Sequence, residues 1–250
     1  MKNKYEKYSA YPSVEILNRK WPDNNITSAP IWCSVDLRDG NQALIEPMDS
    51  IRKMRMFKHL VKIGFKEIEI GFPSASETDF NFVRELITDN HIPEDVTVQV
   101  LTQSRKPLIE KTVESLKDCK NAIIHLYNST STLQRDIVFK ETMEGVKKLA
   151  TDGAKIISDQ LFKLEKSNIR LQYSPESFTG TELPYALEVC ESVLDVWNAN
   201  EQNPVIINLP ATVEMSTPNI HADQIEWMGH NFSDRNRVIL SLHPHNDRGT

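Results

Sequence analysis

Two histidines separated by a single residue, His243 and His245, form the sharpest chemical signal in the sequence. Residues i and i+2 of a strand point to the same face, so both imidazoles would converge on one point. Neutral imidazole binds Zn²⁺, Fe²⁺ and Mn²⁺, and Pro244 between the two cannot donate a ladder hydrogen bond. We therefore predict that a strand ends here with a metal-binding pair at its rim. The alternative is two surface histidines in a turn.

An arginine and an aspartate, Arg38 and Asp39, follow the first apolar run of the chain. A carboxylate beside two imidazoles makes a 2-His-1-carboxylate set, which binds a divalent metal and leaves coordination positions open. Arg38 would then lie close enough to stabilise an oxyanion on a metal-bound substrate. Taken in isolation, the Arg-Asp-Gly sequence is more typical of a turn with a local ion pair.

Four further polar residues follow other apolar runs. Glu176 could act as a general base or orient one, although a solvated loop glutamate is the simpler interpretation. Ser174 and Thr212 are hydroxyls suited to a substrate carboxylate, or else ordinary capping residues. His125 is either a donor in a pocket or a core histidine bonded to a backbone carbonyl.

The elements that must position these residues are seven short β-rich runs separated by helix-like stretches. The runs cover residues 31–35, 67–72, 96–101, 122–126, 169–174, 205–209 and 238–242. The amphipathic stretches predict helices over 51–64, 142–164, 183–196 and 220–228. Asp49, Gly64 and Pro218 stand where such helices would begin or end.

Strands that alternate with helices form a parallel sheet, which is either doubly wound or closed into a barrel. Neither a GxGxxG sequence after the first run nor a P-loop is present, so a nucleotide-binding doubly wound fold loses support. Function on such scaffolds lies at the carboxyl ends of the strands, and five of the seven runs end in polar clusters. This distribution favours an α/β barrel with its active site at that end.

The composition is that of an ordinary globular protein. The chain has 250 residues and a net charge of −6, and it is 39% hydrophobic. An acidic balance argues against nucleic-acid binding, and no apolar run is long enough to predict a membrane span. The N-terminus lacks the apolar stretch of a secretory signal. Cys33, Cys119 and Cys190 are odd in number and far apart, which favours reduced thiols and a cytoplasmic location.

The chain divides by composition into two parts. Residues 1–30 are polar and punctuated by prolines, which predicts an N-terminal arm that wraps another part of the molecule. Residues 31–250 contain all seven runs, so we assign them to a single catalytic TIM-barrel domain.

Several long motifs, in order, carry a resemblance to a known family. They are SVDLRDGNQALIEPM at 34–48, GFPSAS at 71–76, YSPESFTGTE at 173–182, NLPATVE at 208–214 and HPHNDRGT at 243–250. Together they resemble the 2-isopropylmalate synthase family, in its longer class. The shorter class and homocitrate synthase more often read TLRDGEQ or TLREGEQ where this chain has DLRDGNQ.

The resemblance implies a (β/α)8 TIM barrel that condenses acetyl-CoA, its co-substrate, with 3-methyl-2-oxobutanoate. The product is 2-isopropylmalate, an intermediate of leucine biosynthesis. It also implies a homodimer and a divalent metal cation (Mg, Mn or Zn). The implied metal ligands are Asp39, His243 and His245. Arg38 would stabilise oxyanion charge, Glu176 would belong to the catalytic base system, and His125, Ser174 and Thr212 would contact the keto acid.

One departure from the family pattern leads to a further expectation. The family has another metal ligand, an asparagine beyond the eighth strand, and this sequence ends at Thr250, just after the seventh run. We therefore expect a barrel truncated after about seven strands, without the eighth strand or the C-terminal regulatory domain. Such a fragment would be poorly stable and inactive by itself, because its edge strands would be unpaired.

Three other functions are compatible with the motifs. A sister acyltransferase (homocitrate, citramalate or alkylmalate synthase) would differ in the side chain of its keto acid. A metal-dependent carbon–carbon lyase of the same superfamily would catalyse cleavage of a carbon–carbon bond instead of condensation. A non-catalytic metal-binding domain is the third, and the five polar strand ends argue against it.

Overall fold

The computed structural model describes residues 10–247 and residue 249. The start of the predicted arm, residues 1–9, and the positions of Arg248 and Thr250 in the last motif lie outside the described residues. Seven strands form one sheet in the order β1 to β7, and every neighbouring pair is parallel. The predicted α/β fold is therefore confirmed, with seven strands of a (β/α)8 TIM barrel in the described part of the chain.

Within residues 10–247 the strands alternate with six α-helices. The strands are β1 Cys33–Ser34, β2 Glu67–Gly71, β3 Thr97–Gln103, β4 Asn121–Ser129, β5 Asn168–Glu176, β6 Val205–Ala211 and β7 Val238–Pro244. The helices are α1 Ser50–Ile63, α2 Glu77–Thr88, α3 Lys106–Ser115, α4 Met143–Gln160, α5 Leu183–Trp197 and α6 Pro218–Asn231. All seven predicted runs contain a strand, although the first contributes only two residues.

Local signals explain where α1 begins and ends. The Asp49 side chain accepts a hydrogen bond from the Arg52 backbone N–H at 2.8 Å, as an N-cap does. At the other end Gly64 has a φ of 112°, a left-handed conformation that glycine adopts without strain. Between these caps Phe57 and Leu60 point into the core. Both predicted ends of this helix are therefore confirmed.

Alternation along the strands separates an apolar face from a polar face. On β3, Val98 and Val100 belong to the hydrophobic core shared with the helices, whereas Gln99 between them bonds to polar groups of other strands. Because successive residues of a strand point to opposite sides, one side of the sheet packs under the helices and the other carries polar side chains. The latter side is the interior of the curled sheet.

Two contacts between strands that are far apart in the sheet order show that the sheet curls. Asp39 follows β1, and its carboxylate lies 2.9 Å from the His243 ring on β7, so the two edges approach each other at the carboxyl ends of the strands. Near the opposite end, Arg170 on β5 forms an ion pair with Glu67 on β2 across the interior. The curl brings residues from distant strands to one enclosed space.

The described part of the N-terminal segment packs against α6. Arg19 donates two hydrogen bonds to the Asp223 carboxylate at 2.6 and 2.7 Å, and the Trp21 indole donates to the same group at 2.7 Å. The Glu226 carboxylate accepts from the backbone N–H of Trp21 at 2.9 Å. The division at residue 30 into an arm and a barrel domain stays a prediction.

Two predictions from composition concern sorting and thiols. In the described part of the chain no helix combines the length and the apolar character needed to cross a bilayer. Cys33, Cys119 and Cys190 are all free thiols. Burial raises the pKa of Cys119 to about 11, so this thiol stays protonated near neutral pH.

A buried ion pair between α1 and α2 offers a test of the fold. Lys53 is fully buried, and its ammonium group pairs with the Asp79 carboxylate. Lys53→Ala removes the counter-charge, so we expect the free energy of unfolding to fall by about 3–5 kcal/mol. Lys58→Ala on the exposed side of the same helix should change it by less than about 0.5 kcal/mol. Urea denaturation of both variants measures the difference, and equal effects would contradict the prediction.

Candidate active site

All eight predicted site residues line one cavity at the carboxyl ends of the strands. The cavity has a volume of about 180 Å³. The predicted residues around it are Arg38, Asp39, His125, Ser174, Glu176, Thr212, His243 and His245. Among the other residues in its wall are Phe72, Leu101, Tyr127 and Pro210, which give it an apolar side. A larger cavity of about 620 Å³ at the opposite end of the strands contains none of the predicted site residues.

The three predicted metal ligands face one another. The Asp39 Oδ2 atom lies 2.9 Å from His243 Nε2 and 3.2 Å from His245 Nε2. Ligand atoms on adjacent positions of an octahedral ion with bonds of ~2.1 Å are roughly 3 Å apart, so this spacing suits a shared cation. In the described part of the chain this is the one group of three such residues whose ligand atoms lie within 4.8 Å of one another.

The hydrogen bond at the far side of the His245 ring supports this interpretation. His245 Nδ1 lies 3.0 Å from the backbone carbonyl oxygen of Thr212, which can only accept, so the ring donates its proton there. In the neutral ring Nε2 then carries a lone pair and faces the Asp39 carboxylate, another acceptor. A cation between the two would satisfy both, and the Nδ1–H to carbonyl bond is the usual orienting contact of a metal-binding histidine.

The charge balance also fits a cation. The Arg38 guanidinium is shared between two carboxylates, with its Nε 2.7 Å from Glu69 Oε2 and an Nη 3.1 Å from Asp39 Oδ1. The single positive charge of Arg38 therefore balances only one of the two negative charges on Glu69 and Asp39. The hydrogen bond from His243, with help from Arg38, holds the pKa of Asp39 well below its usual value, so this group is ionised at neutral pH. The donor set thus suits a divalent metal.

Among the residues that the sequence analysis missed is Glu69 on β2, which contacts two residues of the site. This side chain is fully buried, and its two oxygens contact Arg38 and the His125 ring, each at 2.7 Å. Burial alone would raise the pKa of Glu69, but the Arg38 charge and the His125 contact hold it below its usual value. The signal was present in the alternation Glu67-Ile68-Glu69-Ile70, which puts two acids on one face of a strand.

His125 connects this carboxylate to a chain of polar groups. Because Glu69 is an acceptor, His125 Nδ1 donates to it, and burial lowers the pKa of His125 so that the ring is neutral. Its Nε2 therefore accepts from the Ser174 hydroxyl at 2.6 Å. Ser174 Oγ in turn accepts from Asn208 Nδ2 at 2.7 Å. The single hydroxyl proton of Ser174 is thus already used.

Thr212 presents its hydroxyl in the opposite way. Its Oγ1 accepts a hydrogen bond from the Ser177 backbone N–H at 3.0 Å, which leaves the hydroxyl proton available to the cavity. Of the two hydroxyls predicted to contact a substrate carboxylate, Thr212 is therefore the one with a proton to donate.

Glu176 is the last residue of β5 and lies at the cavity wall. Burial raises the pKa of its carboxyl group, and the nearby Arg38 charge partly offsets this effect. Ser177, the next residue, has a φ of 57° in the left-handed region, and the Thr212 contact holds this turn. A half-buried carboxylate with a raised pKa is suited to take up a proton.

The fold and the site define the class of protein. The HMGL-like family model matches residues 29–250, and the chain belongs to this family. Solved structures of HMG-CoA lyases share the fold. The Bacillus subtilis structure matches with a TM-score of 0.64 and 17% identity, covering 88% of this chain and 70% of that one. The Brucella melitensis structure matches with a TM-score of 0.62 and 15% identity, and the match covers 86% of this chain and 71% of that one.

Curated relatives give the more particular likeness. The chain is 62% identical to the 2-isopropylmalate synthase of a Parafrankia species over 98% of its own length and 43% of that protein. It is 61% identical to the Clostridium acetobutylicum enzyme of the same name, over 98% and 44%. The chain is 55% identical to the Pseudomonas fluorescens enzyme of the same name, over 100% of its own length and 45% of that protein. The resemblance found in the motifs is confirmed, and the chain spans less than half the length of these relatives.

Proposed function

We propose that the protein is a 2-isopropylmalate synthase. It would condense acetyl-CoA with 3-methyl-2-oxobutanoate and water to give 2-isopropylmalate and CoA. The observation that carries the proposal is the convergence of Asp39, His243, His245, Arg38 and Glu176 on one cavity. The names of relatives at 55–62% identity agree with it.

Asp39, His243 and His245 would hold the divalent metal. When bound, it supplies a Lewis acid that polarises the keto group of the substrate. Arg38 contributes a guanidinium beside this point, where it stabilises the negative charge that develops on the keto oxygen during carbon–carbon bond formation. Its contact with Glu69 at 2.7 Å supports this position, because a held guanidinium does not have to reorganise during the reaction.

The other side chains bind the keto acid and move protons. Thr212 donates its hydroxyl proton to the substrate carboxylate, while the apolar wall that includes Phe72 and Leu101 accommodates the isopropyl group. Glu176 takes part in removing the methyl proton of acetyl-CoA, and the raised pKa of its carboxyl group suits that task. The resemblance carries two further proposals, a homodimer and a cytoplasmic location.

An assay of the natural protein tests the proposal. Purified protein is supplied with acetyl-CoA and one of 3-methyl-2-oxobutanoate, 2-oxoglutarate or pyruvate, and released CoA is followed with a thiol reagent. We expect CoA only when both substrates are present, and fastest with 3-methyl-2-oxobutanoate. Preference for another keto acid would indicate a sister acyltransferase. Carbon–carbon cleavage without condensation would indicate a lyase, and either result would overturn the proposal.

The two hydroxyls of the cavity give a separate prediction. Thr212→Val removes the donor to the keto-acid carboxylate, so we expect the KM for the keto acid to rise about 10- to 100-fold, the value of a hydrogen bond to a charged group. Thr212→Ser keeps the hydroxyl and should restore most of the affinity. Ser174→Ala should raise this KM less than Thr212→Val, because the Ser174 proton is used by His125. Steady-state kinetics measures these KM values. A larger rise in Ser174→Ala than in Thr212→Val would contradict the assignment of Thr212 as the donor to the keto-acid carboxylate.

A further inference from the structure

One tyrosine of the N-terminal segment reaches the turn that follows β5, residues 177–181, which we call the β5 turn. The Tyr11 hydroxyl donates to the backbone carbonyl of Thr179 at 2.5 Å and accepts from the Gln224 side-chain amide on α6 at 2.8 Å. Thr179 and Gln224 are both buried, so water competes little for these bonds. The steps derived above give the N-terminal segment no part in the site.

We propose that Tyr11 is a positioning residue, which holds the β5 turn so that the Thr212 hydroxyl directs its proton into the cavity. The effect of Tyr11 on substrate binding rests on the proposed synthase activity, whereas its effect on the turn does not. Contacts of the turn with the site, contacts of Tyr11 with the turn and the separate attachment of Glu176 support this role.

The β5 turn is attached to the segment after β6 by two hydrogen bonds. The Ser177 backbone N–H donates to Thr212 Oγ1 at 3.0 Å, and the Thr179 hydroxyl donates to the Val213 carbonyl at 2.7 Å. The first bond occupies an acceptor position of the Thr212 hydroxyl and directs its proton away from Ser177. If the turn were displaced, this hydroxyl would rotate freely and its proton would no longer be held ready for the keto-acid carboxylate.

The turn needs outside contacts to keep its shape. Ser177 has a φ of 57°, a left-handed conformation that a residue other than glycine keeps only when its surroundings hold it. Burial raises the pKa of Tyr11, and the bond from Gln224 only partly offsets the rise, so the hydroxyl keeps the proton that it donates. Tyr11→Phe would take this donor away from the buried Thr179 carbonyl, and the turn would relax.

Glu176 precedes the turn but is held separately. Its backbone carbonyl accepts from the Thr130 backbone N–H at 3.1 Å, and β5 pairs with β4 as far as this residue. Loss of the Tyr11 contact should therefore disturb Thr212 and leave the Glu176 carboxylate in place. The expected consequence is a change in the KM for the keto acid, with little change in kcat.

A second aromatic residue of the same segment provides a matched control. The Trp21 indole N–H donates to the Asp223 carboxylate at 2.7 Å, beside Gln224 on α6. Among the described residues, the Trp21 side chain has this hydrogen bond and none to the β5 turn. Trp21→Phe and Tyr11→Phe thus each remove one side-chain hydrogen bond between the segment and α6, but only Tyr11→Phe also removes a bond to the turn.

The kinetic arm compares the two variants in the natural protein. In Tyr11→Phe we expect the KM for 3-methyl-2-oxobutanoate to rise about 5- to 10-fold, the value of one hydrogen bond, and kcat to stay within about threefold of wild type. Trp21→Phe should keep both parameters within about twofold. Thr212→Val already lacks the hydroxyl, so adding Tyr11→Phe to it should raise this KM little further.

The structural arm measures hydrogen–deuterium exchange of the peptide at 173–182 by mass spectrometry, without substrate. The backbone N–H groups of Ser177, Gly180 and Thr181 are hydrogen-bonded at 3.0, 2.9 and 3.0 Å. We expect them to exchange about tenfold faster in Tyr11→Phe than in the wild type or in Trp21→Phe. Melting temperatures of both variants report the cost to overall stability separately.

Three results would overturn the proposal. The first is a wild-type KM in Tyr11→Phe, whether or not the turn exchanges faster. The second is an equal change in KM and exchange in Trp21→Phe, which would make the contact merely structural. The third is full additivity of Tyr11→Phe and Thr212→Val, because Tyr11 would then not act through Thr212. If the wild type lacks synthase activity, the proposed function fails by itself, and the exchange comparison alone then decides whether Tyr11 holds the turn.

Discussion

Replacing Asp39 with asparagine is expected to lower kcat by at least about 10³-fold, which corresponds to roughly 4 kcal/mol of transition-state stabilisation. Asp39 is the only carboxylate in the group of three candidate ligands, and its Oδ2 lies within 3.2 Å of both imidazoles. Asparagine keeps the shape but removes the negative charge that a divalent cation needs. It also leaves Arg38 without its second partner.

Metal affinity provides the direct measurement of this effect. Calorimetric titration of the metal-free natural protein with Mg²⁺ or Mn²⁺ should show one site in the wild type and a much weaker one in Asp39→Asn. Asp36→Asn is the matched control, because Asp36 belongs to the same turn and bonds to Ser34 Oγ at 2.6 Å, outside the cavity. Wild-type metal affinity and turnover in Asp39→Asn would contradict the assignment of Asp39 as a ligand.

The sequence was sufficient to locate this group of ligands because the geometry behind it is general. Residues i and i+2 of a strand share a face, which aligns His243 with His245. The carboxyl ends of parallel strands meet at one end of a barrel, which brings Asp39 from the first run to the seventh. Neither argument requires knowledge of side-chain contacts. The same reasoning explains why every predicted site residue lines one cavity.

Other features of the site depend on contacts that spacing does not reveal. Glu69 occurs within a strand of apolar residues, and only the curl of the sheet shows that its oxygens meet Arg38 and His125. The roles of Ser174 and Thr212 could not be separated from sequence, since both are hydroxyls after a strand. They differ because Ser174 donates to His125 whereas Thr212 accepts from a backbone N–H.

Helix prediction failed for the two shortest helices, although α2 is as amphipathic as the predicted helix α1. α2 and α3 were not among the predicted helices, although their core faces, including Phe82 and Ile109, are fully buried. Caps do not explain the difference, because the Ser76 side chain caps α2 whereas the predicted helix α6 has no side-chain cap. Tertiary burial, more than local propensity, therefore stabilises the two missed helices.

The second large effect is expected from Glu176→Gln. A glutamine cannot take up a proton, so kcat should fall about 10²- to 10⁴-fold, the usual contribution of a general base. The KM for the keto acid should change little, since Thr212 and Arg38 remain. Glu176→Asp keeps a carboxylate at a shorter reach and should lose less activity than Glu176→Gln.

The pH dependence of kcat/KM tests the same assignment with a definite sign. A base must be ionised to act, so activity is lost as the pH falls through the pKa of Glu176. Burial raises that pKa, and Arg38 only partly offsets the rise, so the acid limb of the wild-type profile should lie above the pH expected for an ordinary glutamate. In Glu176→Gln this limb should disappear from the residual activity. An unchanged acid limb in that variant would assign the titrating base to another residue, because no ionisable group would remain at position 176.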